Sequence, residues 1–204
     1  KNDTQYQRWS IGLSNGHNLV EFNNASVHSE KIVNDGLWHH IAASYDGTNM
    51  NIYVDGAKES LSGDINVTFD TKSSGKVLIG DNPDTSVPAG SYRFKGSIDE
   101  VSVFNKALSA DEILELYKSG GGLNLTSNSE DYVSSSNLQA YWKFNEGTGT
   151  TVADASGNSN TGIISGATWK SNSVKNVPAR YSTIQSAIDA ASNGDTVSVA
   201  AGTY

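Results

Sequence analysis

An all-β fold is predicted for this chain: a two-sheet antiparallel sandwich carrying one short helix. Three observations carry the prediction. Apolar and polar residues alternate along several short stretches, the period of a half-buried strand. Turn dipeptides punctuate those stretches at roughly every 8–12 residues, as in sandwich folds. Helical spacing of apolar residues is confined to a stretch after Ser109 and to one near the C-terminus.

The elements follow in order. Trp9, Ile11 and Leu13 alternate with Arg8, Ser10 and Gly12, which places Trp9 on the core side. Asn15-Gly16 marks a hairpin turn into a strand over His17–Phe22. Trp38–Tyr45 is a further strand, ended by Asp46-Gly47. Met50, Ile52 and Val54 then alternate with Asn51, Tyr53 and Asp55, and Asp55-Gly56 turns the chain again. Lys76–Gly80 and Ser97–Phe104 are two more strands. Ser109-Ala110-Asp111-Glu112 is a capping box, with Ile113, Leu116 and Tyr117 on one face of the helix it opens. That single stripe suits docking on the sandwich edge. Residues 119–137 are rich in Gly, Ser and Asn and read as a linker or surface loop. Leu138–Trp169 returns to strand-like text. In Val177–Tyr204, Ser182 and Gln185 form another capping box before Ile184, Ala187, Ile188 and Ala191. A turn at Asn193-Gly194-Asp195 leads into the strand-like Thr196–Val199.

Composition narrows the function classes. The chain has 204 residues, no cysteine, and 14 basic against 22 acidic residues, a net charge of −8. That balance argues against nucleic-acid binding, since no basic patch replaces counterions. No apolar run approaches the roughly 18 residues of a membrane helix, so membrane insertion is not expected. Lys1 is followed by no apolar stretch of a signal peptide. The chain is therefore read as an internal segment of a longer protein.

Trp38-His39-His40-Ile41-Ala42-Ala43-Ser44-Tyr45-Asp46-Gly47, Ile52-Tyr53-Val54-Asp55-Gly56 and Gly96–Ser109 occur in one order and at one spacing. Together they resemble the LamG-like jelly-roll family, a branch of the concanavalin A-like lectin/glucanase fold, over about residues 6–118. Family domains open with Trp-x-Phe-x-Glu-Gly and Asp-x-Ser-Gly-Asn. Here that text comes late, as Tyr141–Gly147 and Asp154–Asn158. Either residues 138–176 complete the first sandwich as a permuted element, or they begin a truncated second copy. Sandwich termini lie close together and a lone hairpin is marginal in water, which favours the permuted reading. Residues 177–204 resemble the capping helix and first coil of pectin-lyase-like right-handed parallel β-helix proteins, whose catalytic residues lie in later coils. The expected organisation is a jelly roll at 1–118, a linker at 119–137, the displaced strands at 138–176 and a β-helix start at 177–204.

The LamG-like resemblance implies a structural Ca²⁺ on Asp99, completed by oxygens of Asp154, Asn158 and Asn160. Asp99 alternates with Ile98 and Glu100 and shares a face with Val101 and Val103, which reads as buried. A buried carboxylate needs a partner, and Asp, Asn and carbonyl oxygens are the hard ligands calcium prefers. The alternative is that Asp99 accepts backbone N–H bonds or pairs with a basic residue, and that 154–160 is an ordinary Asx-rich turn. His39 and His40, adjacent on a strand, point to opposite faces, so structural or surface roles are expected rather than zinc. Tyr53, on the polar side of its strand, and Tyr92 are candidate ligand-stacking aromatics.

No alternating Glu-x-Asp-x-x-Glu run of the glycosidases on this fold occurs, and no Ser/His/Asp set has a recognisable context. The expectation is a non-catalytic, monomeric, extracellular or cell-surface module that binds glycan, within a secreted bacterial protein. Two other readings stand beside it: a structural spacer, and a fragment of a polysaccharide lyase or hydrolase whose active site lies beyond residue 204.

Overall fold

The computed structural model describes residues 9–22, 25–62, 76–81, 93–118, 123–170, 174–177, 183–185 and 196–199. Its elements are β1 (Trp9–Ser14), β2 (His17–Phe22), β3 (Ala25–Ile32), β4 (Ile41–Tyr45), β5 (Met50–Val54), β6 (Ala57–Lys58) and β7 (Leu61–Ser62). After these come β8 (Val101–Phe104), α1 (Ala110–Lys118), a 3₁₀ turn at Ser135–Asn137, and β9 (Leu138–Trp142). The last strands are β10 (Thr151–Val152), β11 (Gly162–Ile163), β12 (Val174–Val177) and β13 (Thr196–Val199). Among the described residues the fold is mostly β with one short α-helix, as predicted.

The chain divides into two compact units, 1–143 with 154–160, and 144–153 with 161–204. In the first unit, one sheet runs β1-β2-β3-β7 and another β4-β5-β6, each antiparallel. Val20 and Val27 of the first sheet pack with Met50 and Ile52 of the second, and all four are buried. The predicted hairpin turns take left-handed backbone at Asn15 (φ 52°) and Gly16 (φ 84°), and at Asp55 (φ 52°) and Gly56 (φ 76°). Two consecutive positive φ values match the right-handed twist of the flanking strands.

β3 lay outside the predicted elements. Val27 is its sole large apolar residue before Ile32, because Ser29 occupies an inward position and is buried. The Ser29 hydroxyl accepts the Asn18 N–H at 3.1 Å and donates to the Lys31 carbonyl at 3.1 Å, which makes its burial affordable.

Trp9, Ile11 and Leu13 were expected in the core. They share the face of Val20 and Val27 but are 37–43% exposed. The reason is position: β1 is the edge strand of its sheet, and the apolar cluster of the opposing sheet faces β2 and β3. The predicted strand at Trp38–Tyr45 begins only at Ile41, and 76–81 carries no strand pairing. The predicted strand at Ser97–Phe104 begins at Val101, because Glu100 sits at φ 52° and breaks the extended backbone.

A second core holds Leu125, Tyr132, Leu138 and Tyr141, with Phe104, Leu116, Leu123 and Ala155 against it. Residues 123–137, expected as part of a linker, are therefore packed structure. Tyr132, fully buried, donates its hydroxyl to the Leu125 carbonyl at 2.9 Å. Antiparallel pairing of β8 with β9 brings Leu138–Trp142 beside Val101–Phe104.

α1 opens with its capping box: the Glu112 N–H bonds the Ser109 hydroxyl at 3.2 Å, and the Ser109 N–H bonds the Glu112 carboxylate at 2.9 Å. The helix docks on the sandwich edge, as its stripe predicted. A Cβ on Gly56 would lie 2.9 Å from both Leu114 and Tyr117.

In the second unit, β10 pairs with β11 antiparallel and β12 with β13 parallel, Val174 opposite Thr196. The predicted helix after Ser182 falls outside the described residues except at 183–185.

Candidate functional site

The β4–β5 hairpin builds an open cleft. Its turn is organised by Asp46, whose Oδ1 accepts the N–H groups of Asn49 (2.6 Å) and Thr48 (2.8 Å). Oδ2 accepts the Asn49 amide at 3.1 Å. The Asn49 N–H, with these other donors, holds the Asp46 carboxyl below its ordinary range. Tyr45 donates its hydroxyl to the Gly47 carbonyl at 2.9 Å, closing the turn. The cleft beside it, about 570 Å³, is rimmed by Asp46, Thr48, Asn49, Asn51, Lys58 and Glu59. Beneath it lie the buried Val27 and Met50 and the part-exposed Leu61. Amide, hydroxyl and charged groups thus surround a small apolar surface. This arrangement was missed from sequence. The signal available was the density of Asp, Asn and Thr in 46–51, which reads equally as turn chemistry.

A second polar cluster lies where β3 ends and β5 turns. The Lys31 ammonium meets Asp55 Oδ2 at 2.5 Å. His39 places Nδ1 2.9 Å from the same oxygen and Nε2 3.0 Å from Asp35 Oδ1. The His40 N–H bonds Asp55 Oδ1 at 3.0 Å, and the Leu37 N–H bonds Asp35 Oδ1 at 2.9 Å. The hydrogen bond to Asp55, seconded by Asp35, raises the His39 pKa above its ordinary value. His40 points elsewhere, its ring 6.1 Å from that of Tyr117, and burial lowers its pKa.

The sequence-predicted residues distribute differently. Tyr53 was expected on an open polar face, yet it is 4% exposed. Alternation identifies which side of β5 it occupies, not whether that side is covered. Tyr92 lies outside the described residues. Asp99 is exposed rather than buried, and its Oδ1 accepts the neighbouring Glu100 N–H at 3.0 Å. Glu100 accepts the Tyr141 hydroxyl, and Lys143 stands 5.2 Å over the Tyr141 ring.

Asp154 forms a bridge with Trp142 on the edge of β9 away from β8. Its Oδ1 accepts the N–H groups of Tyr141 and Ser156, each at 2.9 Å, and Oδ2 accepts that of Asn160 at 2.9 Å. Burial works against the charge, but these donors outweigh it and hold the carboxyl at about 2. The Asn158 amide donates to the Leu138 and Gln139 carbonyls at 3.1 and 3.0 Å, and that of Asn160 to Gln139 at 2.9 Å. The loop therefore clips the open edge of β9.

Asp99 precedes β8, while Asp154 flanks the edge of β9 away from β8. Calcium gathers six to eight oxygens at about 2.3–2.6 Å. Of the expected ligands, the Asp154, Asn158 and Asn160 side chains are hydrogen-bonded within their own loop and to β9. Among the described residues, no group of three or more His, Asp or Glu side chains is placed to hold a metal ion.

Residues 2–114 match the model of the concanavalin A-like lectin/glucanases superfamily (Laminin_G_3). Among solved structures, a "putative carbohydrate binding protein" from Bacteroides ovatus is similar at 21% identity and a TM-score of 0.51. That match covers 78% of this chain and 48% of the other. An S-layer domain-containing protein from Clostridium thermocellum is similar at 20% identity, over 57% of this chain and 65% of the other, with a TM-score of 0.36. The chain thus spans about half to two thirds of the length of these two structures.

Proposed function

Residues 2–114 make the chain a member of the concanavalin A-like lectin/glucanase superfamily, and on that footing we propose that it is a non-catalytic carbohydrate-binding module of an extracellular multidomain protein. The observation that carries this reading is the cleft beside the β4–β5 turn. Sugar rings offer hydroxyls around their rim and C–H groups on their faces. Asn51, Thr48 and Lys58 suit the former, and the part-exposed Leu61 suits the latter. The name of the Bacteroides ovatus protein is in keeping with this reading.

Two observations support the non-catalytic part. Glycoside hydrolysis uses two carboxyl groups across the scissile bond. In this cleft Asp46 is tied to its own turn, and Glu59 accepts the Lys31 N–H at 3.1 Å. Both carboxylates hold the fold in place.

Of the displaced element 138–176, the pairing of β9 with β8 and the place of 138–143 and 154–160 in the sandwich unit support the permuted reading for those two stretches. The parallel pair β12–β13 is compatible with a parallel β-helix beginning in the last segment.

A glycan array followed by calorimetry tests the function. Wild-type protein should bind at least one plant, algal or host glycan. Asn51→Ala should weaken that binding about tenfold, the equivalent of one good polar contact. Absence of binding to every glycan on the array would overturn the reading in favour of a spacer.

A further inference from the structure

We propose that the loop 35–39 is a second saccharide contact, with the indole of Trp38 stacking on a sugar ring, so that this surface takes an oligosaccharide rather than a single sugar. The inference rests on the carbohydrate-binding reading above and extends it to a different part of the surface.

The loop presents large apolar side chains to water: Leu37 is 73% and Trp38 45% exposed. It is also held in place. Asp35 Oδ1 takes both the Leu37 N–H and His39 Nε2, closing the loop on itself. Asp55 takes His39 Nδ1, the His40 N–H and the Lys31 ammonium, fastening the loop to the β5–β6 turn. The Val33 N–H bonds the Gly16 carbonyl at 2.7 Å, fastening the other end to the β1–β2 turn. Fastened at both ends, the loop holds the Trp38 backbone in one place at the surface. Rigid presentation of an aromatic lowers the entropic cost of binding.

The chemistry around the indole selects the occupant. The side chains of Asp35 and Lys31 are each 43% exposed beside the loop, offering an acceptor and a donor next to an apolar plate. A sugar ring presents that pairing, with C–H groups on its face and hydroxyls at its rim. A second copy of this chain would bring its own charge of −8 against this one, and an anionic lipid surface would be repelled likewise. The two contacts are physically joined, because Glu59 on the cleft rim accepts the Lys31 N–H. Contacts run from the cleft rim at Glu59 through Lys31 and Asp55 to His39 of the loop, a span suited to a chain of several sugars.

Calorimetry with cellohexaose, xylohexaose and hexagalacturonate, each against its monosaccharide, provides the test. At least one hexaose should bind wild-type protein tenfold or more tightly than its monosaccharide and shift its tryptophan fluorescence. Trp38→Ala should remove most of the length dependence, and Trp38→Phe should restore part of it. Asn51→Ala should weaken short and long ligands alike. Wild-type affinity for the hexaose in both Trp38 variants would overturn this inference alone and leave the cleft standing. Failure of wild-type protein to bind any hexaose would overturn this inference, and the carbohydrate reading would fall with it only if the glycan array is negative as well. Concentration-dependent dimers in ultracentrifugation that Trp38→Ala abolishes would overturn it in favour of self-association. If Trp38→Ala does not fold, Trp38→Phe decides the matter through the fluorescence shift and the affinity.

Discussion

His39 carries the clearest titration signature. Both ring nitrogens face carboxylates, and the side chain is 10% exposed. Its folded pKa is raised, chiefly by the hydrogen bond to Asp55. The stabilisation is therefore complete below the unfolded value of about 6.5 and fades as pH climbs through the folded value. Thermal melts between pH 5 and 9 should show the midpoint falling on the alkaline side, and His39→Gln should flatten that fall. A wild-type profile identical to that of His39→Gln would refute the clamp. Asp55→Asn keeps a residue that tolerates left-handed backbone but removes the charge shared by Lys31 and His39. It should cost about 1–3 kcal/mol in chemical denaturation. Sequence placed Asp55 in a turn and His39 on a strand, and their partnership was not legible. They are sixteen residues apart, and the strand pairing of β4 with β5 brings them together.

At the scale of elements, two devices fasten segments that sequence left loosely assigned. Glu112, 1% exposed, caps α1 and also accepts the Val133 N–H at 3.3 Å and the Ser134 hydroxyl, with Lys106 at 3.6 Å. Burial raises its pKa, but the hydrogen bonds from Ser134, Ser109 and Val133 prevail and leave it lowered. The capping box was legible because it is local. Its second task was not, because Val133 and Ser134 lie more than twenty residues away. Glu112→Ala should cost about 2–4 kcal/mol, more than an exposed cap, since it strands several buried donors. The 154–160 loop is the second device. Its text was recognised, but not its partners: Asp154 accepts the N–H groups of Ser156, Asn160 and Tyr141, and the amides of Asn158 and Asn160 donate to carbonyls of β9. Asp154→Ala should lower the melting midpoint. Melting with and without EDTA tests the calcium expectation: EDTA should lower the wild-type midpoint and Asp99→Ala should abolish the difference, whereas an unchanged wild-type midpoint would sink it. Because the Asp154 carboxyl is depressed to about 2, its contribution should hold above the ordinary carboxylate range and vanish as pH falls through that value.

At the scale of the molecule, the sandwich unit is discontinuous in sequence. Its core holds Leu138 and Tyr141 as well as Phe104 and Leu116. A chain ending at Lys118 should therefore lack cooperative unfolding, while one ending at Lys170 should retain it in circular-dichroism melts. Cooperative melting of the shorter chain would contradict the permuted reading.

By itself the sequence determined what depends on near neighbours: the all-β class, the turns at Asn15-Gly16 and Asp55-Gly56, the capping box, and the family text. Backbone conformation and side-chain periodicity are set within a few residues. Only the tertiary structure decided which faces are covered, as Tyr53 inside and Trp9 half outside illustrate, and which polar groups meet. It brought Asp35, His39, Asp55 and Lys31 into one clamp, and it set Asp154 against the edge of β9 away from β8. Burial and ion pairing arise from pairings across long stretches of chain, and no local pattern encodes their geometry.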